Sequence, residues 1–202
     1  ILWTMLLESY YLSQLPFKYI PETLWMDSDG FISHCQTQEV PPLVRLTLLS
    51  DGSLVKLLKA VYLSETTVDV KAQRQIVMGT EMAKFLDAAE GSDAIGRDAW
   101  LCCNEKRLVY AHSVIDVSKM GETIQKEINK KSIPVGMLLS DYGLPLLRDQ
   151  LFVMQLRSDH FAKEFSVTGS LFWARCYRLL GGDGFSAAIL EIFPSDIFVS
   201  WH

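Results

Sequence analysis

The stretch Leu171-Phe172-Trp173-Ala174-Arg175-Cys176-Tyr177-Arg178-Leu179-Leu180, Gly181-Gly182-Asp183-Gly184, Phe185-Ser186-Ala187-Ala188-Ile189-Leu190-Glu191-Ile192-Phe193 decides the architecture. Two apolar runs flank a glycine-rich turn, a spacing that predicts an antiparallel hairpin. Upstream, Arg97 to Cys103 and Arg107 to Ile115 repeat the arrangement around the short loop Asn104-Glu105-Lys106. Loops this tight join antiparallel strands, because a parallel crossover needs a far longer connection. Thr67 to Val77 sets Val68, Val70 and Ala72 against Asp69, Lys71 and Gln73, the alternation of a strand with one wet face. Arg148 to Leu156 reads as one more strand.

Helical spacing appears between these strands. Ser53 is placed to cap a helix carrying Leu54, Leu57, Leu58 and Val61. Met120, Ile124 and Ile128 mark a second helix, and short ones are expected over Pro134 to Leu139 and behind Ser158-Asp159. Six strands with three or four short helices give an α+β fold, with a single six-stranded antiparallel sheet and helices packed mainly on one face. Residues 1–202 are read as a single domain. Within it, residues 1–45, rich in aromatics and carrying Pro16, Pro21, Pro41 and Pro42, form an N-terminal wrapping segment around a core of residues 46–196.

Composition narrows the function. Nineteen Lys and Arg stand against 24 Asp and Glu, a net charge of −5, which argues against a nucleic-acid partner. No apolar run is long enough to span a bilayer, and Ile1 to Leu7 is cut short by Glu8 and lacks the marks of a signal peptide. Cys35, Cys102, Cys103 and Cys176 show no CxxC spacing, and the adjacent Cys102 and Cys103 point to opposite faces of a strand. A reducing compartment is therefore expected, with Cys102, Cys103 and Cys176 packing as small hydrophobes. His34, His112, His160 and His202 form no ligand motif, so no metal is expected. The remaining candidates for chemistry are charges isolated in apolar strands, since an unpaired buried charge is costly. Glu191 has only apolar neighbours and reads either as a functional carboxylate or as a partner of Arg175. Arg97 opens a strand, Arg148, before Asp149, reads equally as a functional cation or as half of a structural ion pair, and Arg178 lies near Arg175. His112, alone on an apolar strand, reads by itself as a core histidine.

Five pieces, in order, resemble the chorismate pyruvate-lyase family, which makes 4-hydroxybenzoate, and especially its divergent cyanobacterial, plastid and archaeal branch. Leu48-Leu49-Ser50-Asp51-Gly52-Ser53-Leu54 is similar to the family's Asp-Gly-Ser-Leu/Met-Thr opening before a helix. The hairpin Arg97 to Asp116 has the family's arginine and loop length. Ile133-Pro134-Val135-Gly136-Met137-Leu138-Leu139 is similar to Pro-Leu/Ile-Gly-x-x-Leu, and Arg148-Asp149 to a Thr-Arg-Asp or Arg-Arg-Glu strand. Trp173-Ala174-Arg175 and Leu190-Glu191-Ile192-Phe193-Pro194 resemble Trp-Gly-Arg and Thr-Glu-x-Phe-x-Pro. The resemblance covers roughly residues 46–196.

It implies a monomeric, cofactor-independent lyase whose ligand is buried beneath helical flaps. Arg97 takes the ring carboxylate, backbone N–H groups near Leu54 and Val135 add hydrogen bonds to it, and Glu191 meets the ring hydroxyl. Chorismate carries two carboxylates, so cationic clamps suit it. His112 stands where bacterial relatives have a second arginine. It is expected at the enolpyruvyl carboxylate as a cation or single donor, with Arg175 able to compensate. The implied reaction eliminates pyruvate from chorismate to give 4-hydroxybenzoate for a quinone or aromatic pathway, in a cytoplasm or plastid stroma. Two alternatives stand beside it. One is a non-catalytic effector-binding module for a small aromatic carboxylate, as in bacterial transcription regulators of this fold. Residues 1–45 read as too short and Pro-interrupted for the winged helix that precedes such modules. The other is a lyase or hydrolase acting on a related cyclic carboxylate.

Overall fold

The structure, a computed structural model, describes residues 17–198 apart from 132, 142 and 144. Ile1 to Leu7, the first part of the expected wrapping segment and His202 lie outside the described residues. The strands are β1 (Ile20–Pro21), β2 (Thr66–Val77), β3 (Asp93–Cys103), β4 (Lys106–Asp116), β5 (Leu146–Arg157), β6 (Leu171–Gly181) and β7 (Ser186–Pro194). They form a single sheet in the order β1-β5-β6-β7-β4-β3-β2, and every pair is antiparallel. The sheet thus has seven strands rather than six. The extra one, Ile20–Pro21, pairs with Arg157 and Leu156 and is too short to show any hydrophobic period.

The helices among the described residues are α1 (Ser28–Thr37), α2 (Pro42–Leu49), α3 (Leu54–Tyr62), α4 (Thr80–Leu86), α5 (Glu122–Asn129), α6 (Val135–Asp141) and α7 (Asp159–Phe165). Helices α3 and α7 begin where serines provide caps: Ser53 Oγ accepts from Lys56 N at 3.4 Å and Ser158 Oγ from Phe161 N at 3.3 Å. The β3–β4 turn is tighter than the sequence spacing suggests, because Lys106 already belongs to β4. Asn104 and Glu105 both take positive φ, 49° and 64°, the backbone that matches strand twist in a two-residue hairpin.

In the four central strands, apart from residues 106–108 before a register shift, odd-numbered residues share one face and even-numbered residues the other. Arg97, Ser113, Ile189 and Tyr177 are successive cross-strand partners, and so are Asp98, His112, Leu190 and Cys176. The even face is a single apolar layer: Trp100, Tyr110, Val114, Phe172, Leu190 and Ile192 pack on Phe85 of α4 and on Phe161 and Phe165 of α7. The odd face carries two apolar patches. One joins Leu101, Val109, Trp173 and Phe193 to α1, α2 and α3 through Phe31, Leu48 and Leu58. The other joins Ile95, Ile115 and Leu179 to α5 and α6 through Ile128 and Leu138. Five of the seven described helices therefore cover the odd face, and α4 and α7 close the even one. Covering only one face would leave Trp100 and Phe172 in water, which the burial of such rings makes costly.

Candidate functional site

Between the two apolar patches of the odd face, small side chains leave room. Ala99, Ala111 and Ser113 occupy neighbouring positions on β3 and β4, and above them lies a cavity of about 70 Å³. Its ends are polar. Arg97 stands at one end, and Glu191, Tyr177 and Arg148 stand at the other, with the first residues of α3 and α6 over the top. Arg97 and Glu191 sit two strands and one two-residue step apart, which puts their Cα atoms about 12 Å from each other. Both side chains point inward from there, a separation suited to a single para-substituted ring.

Arg97 is 2% exposed, and its Nη2 donates to the Ile133 carbonyl at 2.9 Å. Among the described residues no carboxylate lies within 4.0 Å of it to form an ion pair. Burial lowers its guanidinium from the usual 12.5 to about 10. A buried cation without a counter-ion is costly, and the bond to the Ile133 carbonyl offsets only part of that cost. Leu54 and Val135 start α3 and α6, and their N–H groups have no acceptor within their own helices, so they add donors at the cavity roof.

Glu191 is directly opposite Arg175 across β6 and β7. Arg175 Nε donates to Glu191 Oε2 at 2.6 Å, and the Tyr177 hydroxyl donates to Oε1 at 3.1 Å. Glu191 is thus a partner of Arg175, as one of its two readings expected, and it also lines the cavity. It serves there as a hydrogen-bond acceptor. Tyr177 remains a neutral donor, since burial first and the Glu191 charge second push its hydroxyl up. Arg175, fully buried, also donates to the carbonyls of Thr47 and Ser50. Burial, the largest influence, pulls its guanidinium down, but the charges and hydrogen bonds of Glu191 and Tyr177 together raise it. Arg175 does not itself line the cavity. It holds Glu191 and ties the end of α2 to the sheet.

His112 lies elsewhere. It is paired with Asp98 and Leu190 in the sheet and so faces the even side, away from the cavity, with Nδ1 2.7 Å from Asp98 Oδ1. The Tyr110 hydroxyl donates to the same carboxylate at 2.7 Å, and Arg74 Nη1 lies 3.6 Å from its other oxygen. Burial raises the Asp98 carboxyl, but the hydrogen bonds of His112 and Tyr110 and the charges of His112 and Arg74 together lower it. The position expected to meet the enolpyruvyl carboxylate is therefore spent on a structural pair, because Ser113, its neighbour, takes the cavity-facing place beside Arg97.

Arg148 lines the cavity as well. Asp149 is held by Arg178 in a two-pronged pair at 2.9 and 2.6 Å, leaving Arg148 to the cavity. Burial raises the thiols of Cys102 and Cys176, which disfavours the thiolate form that a nucleophile needs. Among the described residues, no three His, Cys, Asp or Glu side chains gather to hold a metal, and no helix is long and apolar enough to cross a membrane.

The fold is similar to that of several solved proteins. The effector domain of PhnF from Mycobacterium smegmatis superposes with a TM-score of 0.59 at 11% identity, over 73% of this chain and 91% of that domain. Against the longer PhnF structure the chain spans 66% of its length, again with a TM-score of 0.59, at 10% identity. A ligand-binding domain from Bordetella bronchiseptica, described as belonging to a GntR-family transcriptional regulator, matches with a TM-score of 0.53 at 17% identity, over 65% of this chain and 86% of that one. At these identities the likeness speaks for fold alone. No curated protein matches the sequence. A family model does: that of the Rv2949c-like chorismate pyruvate-lyases matches residues 48–201, which include Arg97, Arg148, Tyr177 and Glu191. The chain belongs to the Rv2949c-like chorismate pyruvate-lyase family.

Proposed function

We propose that the protein eliminates pyruvate from chorismate to give 4-hydroxybenzoate. The observation that carries this reading is Arg97, a buried guanidinium without a carboxylate partner among the described residues, lining the same small cavity as Glu191. In the reaction the ring C4–H bond breaks and its electron pair forms the new ring double bond. The C3–O bond leaves with its electrons on the enolpyruvyl oxygen, and the proton ends on the departing three-carbon unit as pyruvate. Aromatisation drives the step, so the chain needs chiefly to position the dianion. Arg97 and the roof N–H groups hold the ring carboxylate. Glu191 accepts from the C4 hydroxyl while Arg175 and Tyr177 hold it in place. A low-dielectric pocket strengthens each of these contacts. In this reading the enzyme acts as a monomer without a cofactor in a reducing compartment, since one chain supplies all the named groups.

The test is direct. Purified protein given chorismate should release pyruvate together with an aromatic absorbance, and Arg97→Ala and Glu191→Ala should each abolish the release while retaining a cooperative melt. The second reading, a sensor of an aromatic carboxylate, draws on the likeness to the PhnF effector domain. It gains if the wild type binds 4-hydroxybenzoate but never turns chorismate over. Full activity in Arg97→Ala ends the site assignment under either reading.

A further inference from the structure

The Arg97–Glu191 cavity, read as above, leaves one cation unexplained, and the inference drawn from it rests on that reading. We propose that Arg148 takes the second carboxylate of the substrate, which makes the site selective for a cyclic dicarboxylate over a monocarboxylate. By simple alternation Arg148 shares a face with Met154, on the even side. A register shift between Asp149 and Phe152, with Gln150 at φ +52°, adds one residue to β5 and turns Arg148 to the odd side, opposite Leu179. There it enters the cavity wall. Its Nη1 donates to the Asp51 carbonyl at 2.8 Å, its guanidinium carbon lies 5.6 Å from the centre of the Tyr177 ring, and its Nε is buried without a partner. Asp149 is taken by Arg178, and no carboxylate among the described residues forms an ion pair with Arg148.

Charge in the cavity follows. Glu191 is cancelled by Arg175, so Arg97 and Arg148 leave two positive charges unbalanced. A monocarboxylate neutralises one of them, and a dianion neutralises both. The placement also matches the substrate. In chorismate the enolpyruvyl ether is on the carbon next to the one bearing the hydroxyl, so its carboxylate lies at the hydroxyl end. Arg148 and Tyr177 stand beside Glu191 at that end, opposite Arg97. The expected place for a second cation, late in β4, is occupied by His112 facing the other way. The fifth strand supplies it instead.

The experiment compares two ligands on wild type, Arg148→Gln and Arg148→Lys. Binding of 4-hydroxybenzoate is read by calorimetry, and chorismate by KM and kcat. Arg148→Gln is expected to leave the 4-hydroxybenzoate Kd within about threefold while raising the chorismate KM about tenfold to a hundredfold, as expected when a charge-assisted hydrogen bond is removed. Arg148→Lys, which keeps the charge but not the fork, recovers part of that affinity and serves as the test should the glutamine variant lose its cooperative melt. Equal weakening of both ligands, or no change in either, overturns the proposal. If the wild type releases no pyruvate, chorismate binding by calorimetry replaces KM. A preference for chorismate over 4-hydroxybenzoate that Arg148→Gln erases then supports the second cation while ending the lyase reading. No such preference in the wild type ends the proposal itself.

Discussion

Replacing Arg97 with methionine should stabilise the empty protein and abolish its ligand response. Burial holds the guanidinium at about 10 instead of 12.5. At about 1.4 kcal/mol per pH unit, keeping it charged costs the empty fold about 3 kcal/mol. Methionine fills similar space without charge and forfeits the bond to the Ile133 carbonyl, which contributes about 1 to 2 kcal/mol. The net expectation is a gain of about 1 to 2 kcal/mol, a few degrees in Tm for a chain of this size. The sign with pH follows from linkage. Below pH 10 the folded and unfolded states both carry the proton, so the gain is constant from neutral pH up to there. Between pH 10 and 12.5 the unfolded wild type holds the proton more tightly than the folded one. Wild-type stability therefore rises with pH in that window and the advantage of the variant shrinks. Urea unfolding with and without 4-hydroxybenzoate measures both quantities. At a hundred times Kd the ligand should add about 2.7 kcal/mol to the wild type and nothing to the variant. An empty variant less stable than wild type by more than about 1 kcal/mol, which is the opposite sign to that worked from burial, refutes the reasoning. So does a variant that still responds to the ligand.

Three further outcomes are expected. Arg175→Met leaves Glu191 buried with only Tyr177 as donor, and should destabilise by about 3 to 5 kcal/mol. Adding Glu191→Leu should restore most of that, and a double-mutant cycle in urea that finds no coupling would contradict the pair. His112→Asn should leave 4-hydroxybenzoate binding within about twofold, because the imidazole faces the side of the sheet away from the cavity. On that side the Asp98 carboxyl is held below its ordinary 3.8. Its contribution is present above that pH and lost on acidification. Asp98→Asn should therefore be less stable than wild type by about 1 to 3 kcal/mol at pH 6, with the difference closing below pH 4. A gap that persists unchanged at pH 2 would mean that the carboxylate charge was not its source.

Much of the sheet was legible because strand periodicity and tight turns are local properties. The runs around Asn104-Glu105 and Gly181-Gly184 carry their own evidence of antiparallel pairing. Helix α4 (Thr80–Leu86) went unread: two turns are too short for a clear period, and only the even face of the sheet gives it something to cover. Arg97 and Glu191 stood out as charges among apolar neighbours, a signal that lies in composition along one strand. Arg175 was legible as a partner of Glu191 because the two lie in one hairpin, whereas the Ile133 carbonyl that holds Arg97 comes from a distant segment.

By itself the chain determined which segments pair and which residues alternate within each, since the two-residue period of a strand needs no neighbour to define it. Only the tertiary structure decided which alternate set meets the cavity. One residue of register separates Ser113 from His112, and one extra residue in β5 turns Arg148 inward. Those choices are settled by cross-strand hydrogen bonds and by the packing of two faces at once, and no single strand records them.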